Sequence, residues 1–149
     1  MPGYRTHLIG GTVLAAGALF TAQALRVYSP GLPTQAALLA VSTAFALAPD
    51  VDTHSRGRTW FYGLLVLADV ALIATRRYQW AALLGLLAML PAIDGHRGWT
   101  HTWWAMLLVL LPLLLAPVLL YGWAWQTAAP WYLAAALGYF SHLLLDRQF

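Results

Sequence analysis

Six apolar runs, at 8–25, 36–48, 60–74, 80–91, 103–121 and 131–145, occupy most of the chain, and Asp69 is the one acid, Arg or Lys inside any of them. Apolar residues make up 61% of the sequence and charged residues 9%, with a mean hydropathy of +0.67. Such a composition lies far outside that of an ordinary soluble domain. The runs leave almost nothing over for a separate soluble unit, so residues 1–149 read as a single integral membrane domain of all-α class. Several runs are shorter than the roughly 20 residues that cross a hydrocarbon core. Either the shorter helices end inside protein-lined volume, where irregular backbone is tolerated, or four helices span and two are re-entrant. Six spans are expected, for a reason given by the polar residues.

The expected helices cover 7–26, 34–48, 60–75, 78–93, 101–123 and 131–146. Ser29-Pro30-Gly31-Leu32-Pro33 breaks the chain after the first, Pro49 ends the second, and 126–130 forms the last turn. Pro112 and Pro117 each remove a backbone donor and are expected to kink the fifth. Three successive hairpins then return His7, Asp50, Asp52, His54, Asp94, His96, His101, His142 and Asp146 to one layer at one membrane face. A different number of spans would scatter them over both faces. Arg5, Arg56, Arg58, Arg97 and Arg147 fall on that face, against Arg26, Arg76 and Arg77 on the other, so positive-inside bias makes it cytoplasmic, with both termini. Seven tryptophans, Trp60, Trp80, Trp103, Trp104, Trp123, Trp125 and Trp131, stand near helix ends, as interfacial belts require. The first run also has features of a signal peptide, with Arg5 before it and Ala22-Gln23-Ala24 near its end. His7 at its start, matching the layer, favours a retained helix.

The sequence has no cysteine, which rules out disulfides and thiolate metal sites. Its net charge of +3, carried by scattered arginines, gives no nucleic-acid footprint. The chemistry is concentrated in three short motifs. Gly95-His96-Arg97-Gly98-Trp99-Thr100-His101 sets two imidazoles and a guanidinium at an expected helix start. Imidazole nitrogens take Zn²⁺ or a similar ion, and an Arg fork suits phosphate or carboxylate. Pro49-Asp50-Val51-Asp52 offers two carboxylates one residue apart, able to share a metal site if the backbone is extended or turned. Ser141-His142-Leu143-Leu144-Leu145-Asp146 puts an imidazole and a carboxylate one helical turn apart on one face. There Asp146 either shares an ion with His142 or orients its ring. Each motif alone has an ordinary structural explanation, and so does His7; their convergence on one layer is what points to a metal centre. Asp69, in mid-helix, is expected to contact an Arg or hydroxyl on a neighbouring helix.

Thr6-His7-Leu8, Pro49-Asp50-Val51-Asp52-Thr53, the His-Arg-Gly-x-Thr-His element and Ser141-His142 with Asp146 occur in an order that resembles the LexA-regulated, inner-membrane YdjM-like group of membrane-bound metal-dependent hydrolases. The likeness covers about 5 to 146. It implies functional roles for His7, Asp50, Asp52, His96, Arg97, His101, His142 and Asp146. Some members carry His directly after the second Asp of the Pro-Asp-x-Asp element; here Thr53 stands there and His54 follows. The order of motifs also has a distant likeness to zinc-dependent phospholipase C.

The expectation is a six-helix enzyme of a prokaryotic inner membrane. Its metal ligands would be His7, Asp50, Asp52, His96, His101, His142 and Asp146, with His54 and Asp94 as lesser candidates. Two or three ions, zinc or else manganese or iron, would activate water against a lipid or lipid-linked phosphoester. Asp52, Arg97 and His101 would be catalytic, and Arg97, Thr100 and Ser141 would bind substrate. The rival readings are a divalent-metal transporter and a membrane scaffold with a structural metal site. Oligomeric state is not legible.

Overall fold

The computed structural model describes residues 3–52, 56–89 and 99–146. His54, Asp94, His96 and Arg97 lie outside them, as does the side chain of Asp52. Every regular element among the described residues is helical. In chain order these are α1 (Tyr4–Ala24), α2 (Leu32–Phe45), a 3₁₀ turn (Ala48–Asp52), α3 (Arg56–Ala74), α4 (Tyr78–Met89), a second 3₁₀ turn (Trp99–His101), α5 (Trp103–Val109), α6 (Leu111–Tyr121) and α7 (Trp125–Leu145).

Among the described residues two helices are long and apolar enough to cross a membrane, where six had been expected. They are α1, 21 residues at mean hydropathy 1.3, and α5 with α6, 19 residues at 2.4. The shortfall has plain causes. At 14 and 12 described residues, α2 and α4 are short of a full span. The longer α3 opens on Arg56 and Arg58 and carries Asp69, while α7 opens through Gln126, Thr127 and Pro130.

Three boundaries also differ from those read off the sequence. The fifth helix is divided at Leu110 into α5 and α6, with Pro112 in the first turn of α6. A proline there lacks the N–H that would have continued α5. Pro117, by contrast, sits inside α6 without ending it. The last helix begins at Trp125, six residues early, and runs straight through Pro130. The first four N–H groups of any helix are free, so this proline costs one further bond. Finally, α3 begins at Arg56, so the expected loop as far as Thr59 is partly helical.

The chain folds as antiparallel pairs, α1 with α2, α3 with α4, and α5–α6 with α7; α7 also packs against α1 and α2. Small residues set how closely the last three approach. The backbone of Gly138 lies against the Ser42 carbonyl, and Gly11 against Ala46 and Ser42. Ser42 Oγ donates to the Gly11 carbonyl at 3.1 Å, and the Thr12 and Thr43 hydroxyls are 2.7 Å apart. Contacts of this type hold helices together where apolar burial gives no drive between them. On the opposite side, α3 leaves Leu64, Val66, Leu67, Val70 and Ile73 exposed.

This pairing gathers the start of α1, both 3₁₀ turns and the end of α7 at one end of the bundle. The opposite end carries the reversals. At the ends of α1 and α3, Arg26 (φ 56) and Arg76 (φ 59) are left-handed. The next amides, of Val27 and Arg77, bond back to Ala22 and Leu72 and close each helix as a Schellman motif.

Candidate metal centre

Four side chains from three elements meet at that gathered end. Asp50 comes from the turn that follows α2 and His101 from the turn that precedes α5. His142 stands near the end of α7, and Asp146, one helical turn on, is its C-cap residue. His142 Nε2 lies 3.3 Å from Asp146 Oδ2 and 3.6 Å from Asp50 Oδ1. His101 Nε2 is 3.8 Å from the same Asp50 oxygen. One donor atom from each residue lies within 4.8 Å of all the others, so Asp50, His101, His142 and Asp146 could hold a metal ion. Two imidazole nitrogens and two carboxylate oxygens suit zinc, and manganese or iron as well.

The ring of His142 is fixed before any ion arrives. Its Nδ1 is 2.8 Å from the carbonyl of Ala46. A carbonyl only accepts, so Nδ1 carries the proton and donates. In the neutral ring Nε2 then presents its lone pair to the carboxylates. Histidine ligands are oriented in this way by a hydrogen bond from the other ring nitrogen. His7 stacks on the ring, with centroids 3.9 Å apart. His101 is held through Nδ1, 3.2 Å from the hydroxyl of Thr100. Thr100 is itself anchored, because the Tyr139 hydroxyl donates to its carbonyl.

Within this ring of groups the neutral His142 Nε2 and the Asp146 carboxylate are acceptors facing each other. His142 Nε2 and Asp146 Oδ1 are buried with no hydrogen-bond partner among the described residues. Leaving one such atom unsatisfied costs about 1–3 kcal/mol, and converging lone pairs repel. A cation shared among them removes both penalties, so the residues present fit a metal ion. Burial alone would push the Asp50 carboxyl up. The hydrogen bond with His101 and the nearby imidazoles of His142 and His7 outweigh that effect and hold it below the ordinary carboxylate value. Asp50 is therefore an anion ready to ligate.

The remaining sequence candidates fall in different places. His7 is 1% exposed and touches Asp146, Nε2 to Oδ1 at 3.5 Å, but stands outside the set of four. Thr100 is buried beside His101. Ser141 is buried too, and its hydroxyl donates to the Gly138 carbonyl at 2.7 Å. Asp52, His54, Asp94, His96 and Arg97 have no side-chain position among the described residues. Asp69 Oδ1 is buried without a hydrogen-bond partner among the described residues. Two participants escaped sequence reasoning. The Ala46 carbonyl carries no side-chain signal at all. Tyr139, three residues before His142 on the same helical face, was legible as a polar tip in an apolar helix.

No curated protein and no solved structure matches the chain. A family profile, that of the YdjM inner membrane protein, matches residues 1–148. With nearly the whole length covered and two apolar helices of spanning length, the chain is a membrane protein that belongs to the YdjM inner membrane protein family.

Proposed function

We propose that this protein is a multi-pass, metal-dependent hydrolase that cleaves a phosphoester of a membrane lipid or lipid-linked substrate. The observation that carries the reading is the meeting of Asp50, His101, His142 and Asp146 within reach of one ion, with His142 Nε2 and Asp146 Oδ1 buried and unpartnered among the described residues. A divalent ion held there would supply a Lewis acid for a phosphoryl oxygen and lower the pKa of water towards neutrality.

The protein's own side chains divide the remaining work. His142 and Asp146, 0% and 3% exposed, form the closed back of the site. The Asp50 side chain is 21% exposed and that of His101 7%, so substrate approaches from their side. Arg97, assigned from its motif, binds the phosphate and stabilises charge developing on it. The apolar helices around the centre favour a substrate delivered from lipid. With the start of α1 and the end of α7 at the site end and arginines favouring that face, the site face and both termini are cytoplasmic.

A second reading draws on the same geometry. The ligands join α7 to both 3₁₀ turns, so an ion there would also brace the fold as a structural metal does. One experiment separates the two. Metal content of the purified protein is measured by elemental mass spectrometry, alongside hydrolysis of a panel of phospholipids and polyprenyl phosphates. Wild type should hold a transition metal and hydrolyse part of the panel, and Asp146→Ala should lower both by more than about 100-fold. Retained metal with no turnover across the panel would leave the structural reading and overturn the enzymatic one.

A further inference from the structure

The metal centre adjoins an apolar cavity of about 330 Å³ that the chemistry above does not use. Thr100, Ala48 and Tyr139 form its wall at the site end, within two residues of His101 and Asp50 and three of His142. At the other end of the bundle it reaches Trp80, Trp123 and Trp131. Between them it separates the α3–α4 hairpin from α2, α6 and α7. On α7 alone the lining residues Trp131 and Tyr139 are eight residues apart, about 12 Å at 1.5 Å per residue. The cavity is thus elongated along the helices. Its few polar groups are already engaged at one end: the Thr100 hydroxyl is beside His101 and the Tyr139 hydroxyl donates to the Thr100 carbonyl. The far end is walled by Trp80, which stacks on Tyr121 with ring centroids 4.5 Å apart.

We infer that this cavity holds one hydrocarbon chain of a membrane lipid, with the lipid's headgroup at the metal centre. Three features select that occupant. The described walls are almost wholly apolar, which favours an apolar occupant over a polar one. The cavity's described hydroxyls, those of Thr100 and Tyr139, stand at the site end, where the headgroup of an amphiphile would lie. At Thr100 and Tyr139 the cavity also adjoins a site able to bind a cation, which in turn attracts an anionic headgroup. An inner-membrane protein meets such chains at high concentration. The aromatic wall at Trp80 and Trp123 then sets how long a chain fits. This inference rests on the lipid-substrate reading above, but chain binding needs no turnover.

The test uses the full-length protein in bilayers of phosphatidylethanolamine and phosphatidylglycerol, doped with a phosphatidic acid bearing a photoreactive diazirine in mid-chain. After illumination, adducts are mapped by mass spectrometry. The expected adducts fall on Phe61, Leu84, Val109 and Leu113. Displacing each methylene of a buried chain costs about fourfold in occupancy. Filling the cavity by Ala88→Phe or Leu113→Trp should therefore lower those adducts at least about tenfold, with metal content unchanged. Adducts confined to the outward-facing Leu67 and Val70, in wild type itself, would overturn the proposal whatever the variants do. Equal cavity labelling in the filled variants would overturn it too. Cavity adducts without hydrolysis of any lipid would instead sink the hydrolase reading and leave the chain site standing.

Discussion

The two sides of the bundle solve helix packing by opposite means. Helices α1, α2 and α7 meet through Gly10, Gly11, Ser42, Ala46, Gly138 and Ser141, with backbones in direct contact. The α3–α4 hairpin has glycines as well, Gly63 and Gly85, yet nothing lies within 4 Å of where a Cβ would stand on either. The same residue type thus marks a close approach at Gly10, Gly11 and Gly138 and open space at Gly63 and Gly85, as also at Gly17 of α1. Every ligand of the four but His101 is borne or positioned by the tightly packed side. Asp146 and His142 are on α7, Asp50 follows α2, and the Ala46 carbonyl that orients His142 closes α2. A metal centre demands ligand placement to a few tenths of an ångström, and rigid small-residue packing supplies it. The looser hairpin is then free to wall a cavity.

Alanine or larger substitutions at the glycines break this comparison where it is strongest. A Cβ at Gly138 would fall on the Ser42 carbonyl, a backbone group that cannot turn aside. Gly138→Val should cost about 3 kcal/mol, lowering the melting temperature in detergent by roughly 10 °C. Bound metal should fall with it, because Ser42 and Ala46 share the strand of backbone that positions His142. At Gly11 a Cβ would stand 2.7 Å from that of Ala46, and at Gly10 it would meet Leu145 Cδ1 at 2.8 Å. The leucine tip can rotate away, whereas the alanine cannot. Gly11→Ala should therefore cost more than Gly10→Ala, about 1–2 kcal/mol against less than about 1. Equal melting temperatures across the series would show that the close approach of α7 to α2 is not what holds the site.

Acid sharpens the comparison at the ligands themselves. Asp50 has a depressed carboxyl, so its contribution to stability is present above the ordinary carboxylate value and lost only as pH falls through the lower folded value. Between pH 8 and 5 it stays ionised. Loss of metal in that window would then point to imidazole ligation, since an imidazole binds metal only when unprotonated. Occupancy measured after dialysis should hold from pH 8 to 7 and fall below about pH 6, near the imidazole range. A fall beginning only below about pH 4 would assign the metal to carboxylates alone.

How much of this could be read beforehand varies with the range of the interaction. Apolar runs forced helices, and His142 and Asp146 share a face because of helix geometry alone; both are local. The gathering of His7, Asp50, His101, His142 and Asp146 at one end followed from counting reversals, and the pairing of helices keeps it. Spans were over-counted because apolarity marks a helix more readily than it measures its length. Pro112 divided its helix as the missing donor requires, but Pro117 and Pro130 did not end theirs. A single lost bond is outweighed by packing on either side, as Ala128, Ala134 and Ala135 supply around Pro130. Gly138 could not be told from Gly63 in the sequence, since each lies in a run of apolar residues. Only the neighbouring helix makes one of them indispensable.

Gly63→Ala is the smallest change in the series and the one that reverses sign. The position is exposed, in the interior of α3, with no atom near enough to resist a methyl group. Glycine there gives up backbone entropy that alanine does not, so the substitution should stabilise the helix by about 0.5–1 kcal/mol. That corresponds to a rise of roughly 2–4 °C in melting temperature, with metal content unchanged because α3 carries none of the four ligands. If Gly63→Ala instead destabilised the protein as Gly11→Ala does, the face of α3 would be packed against something. A second copy of the chain would be the first partner to look for, and a concentration-dependent melting temperature would reveal it. A stabilised variant with normal metal content would establish that small residues matter on one side of this bundle for their contacts, and on the other not at all.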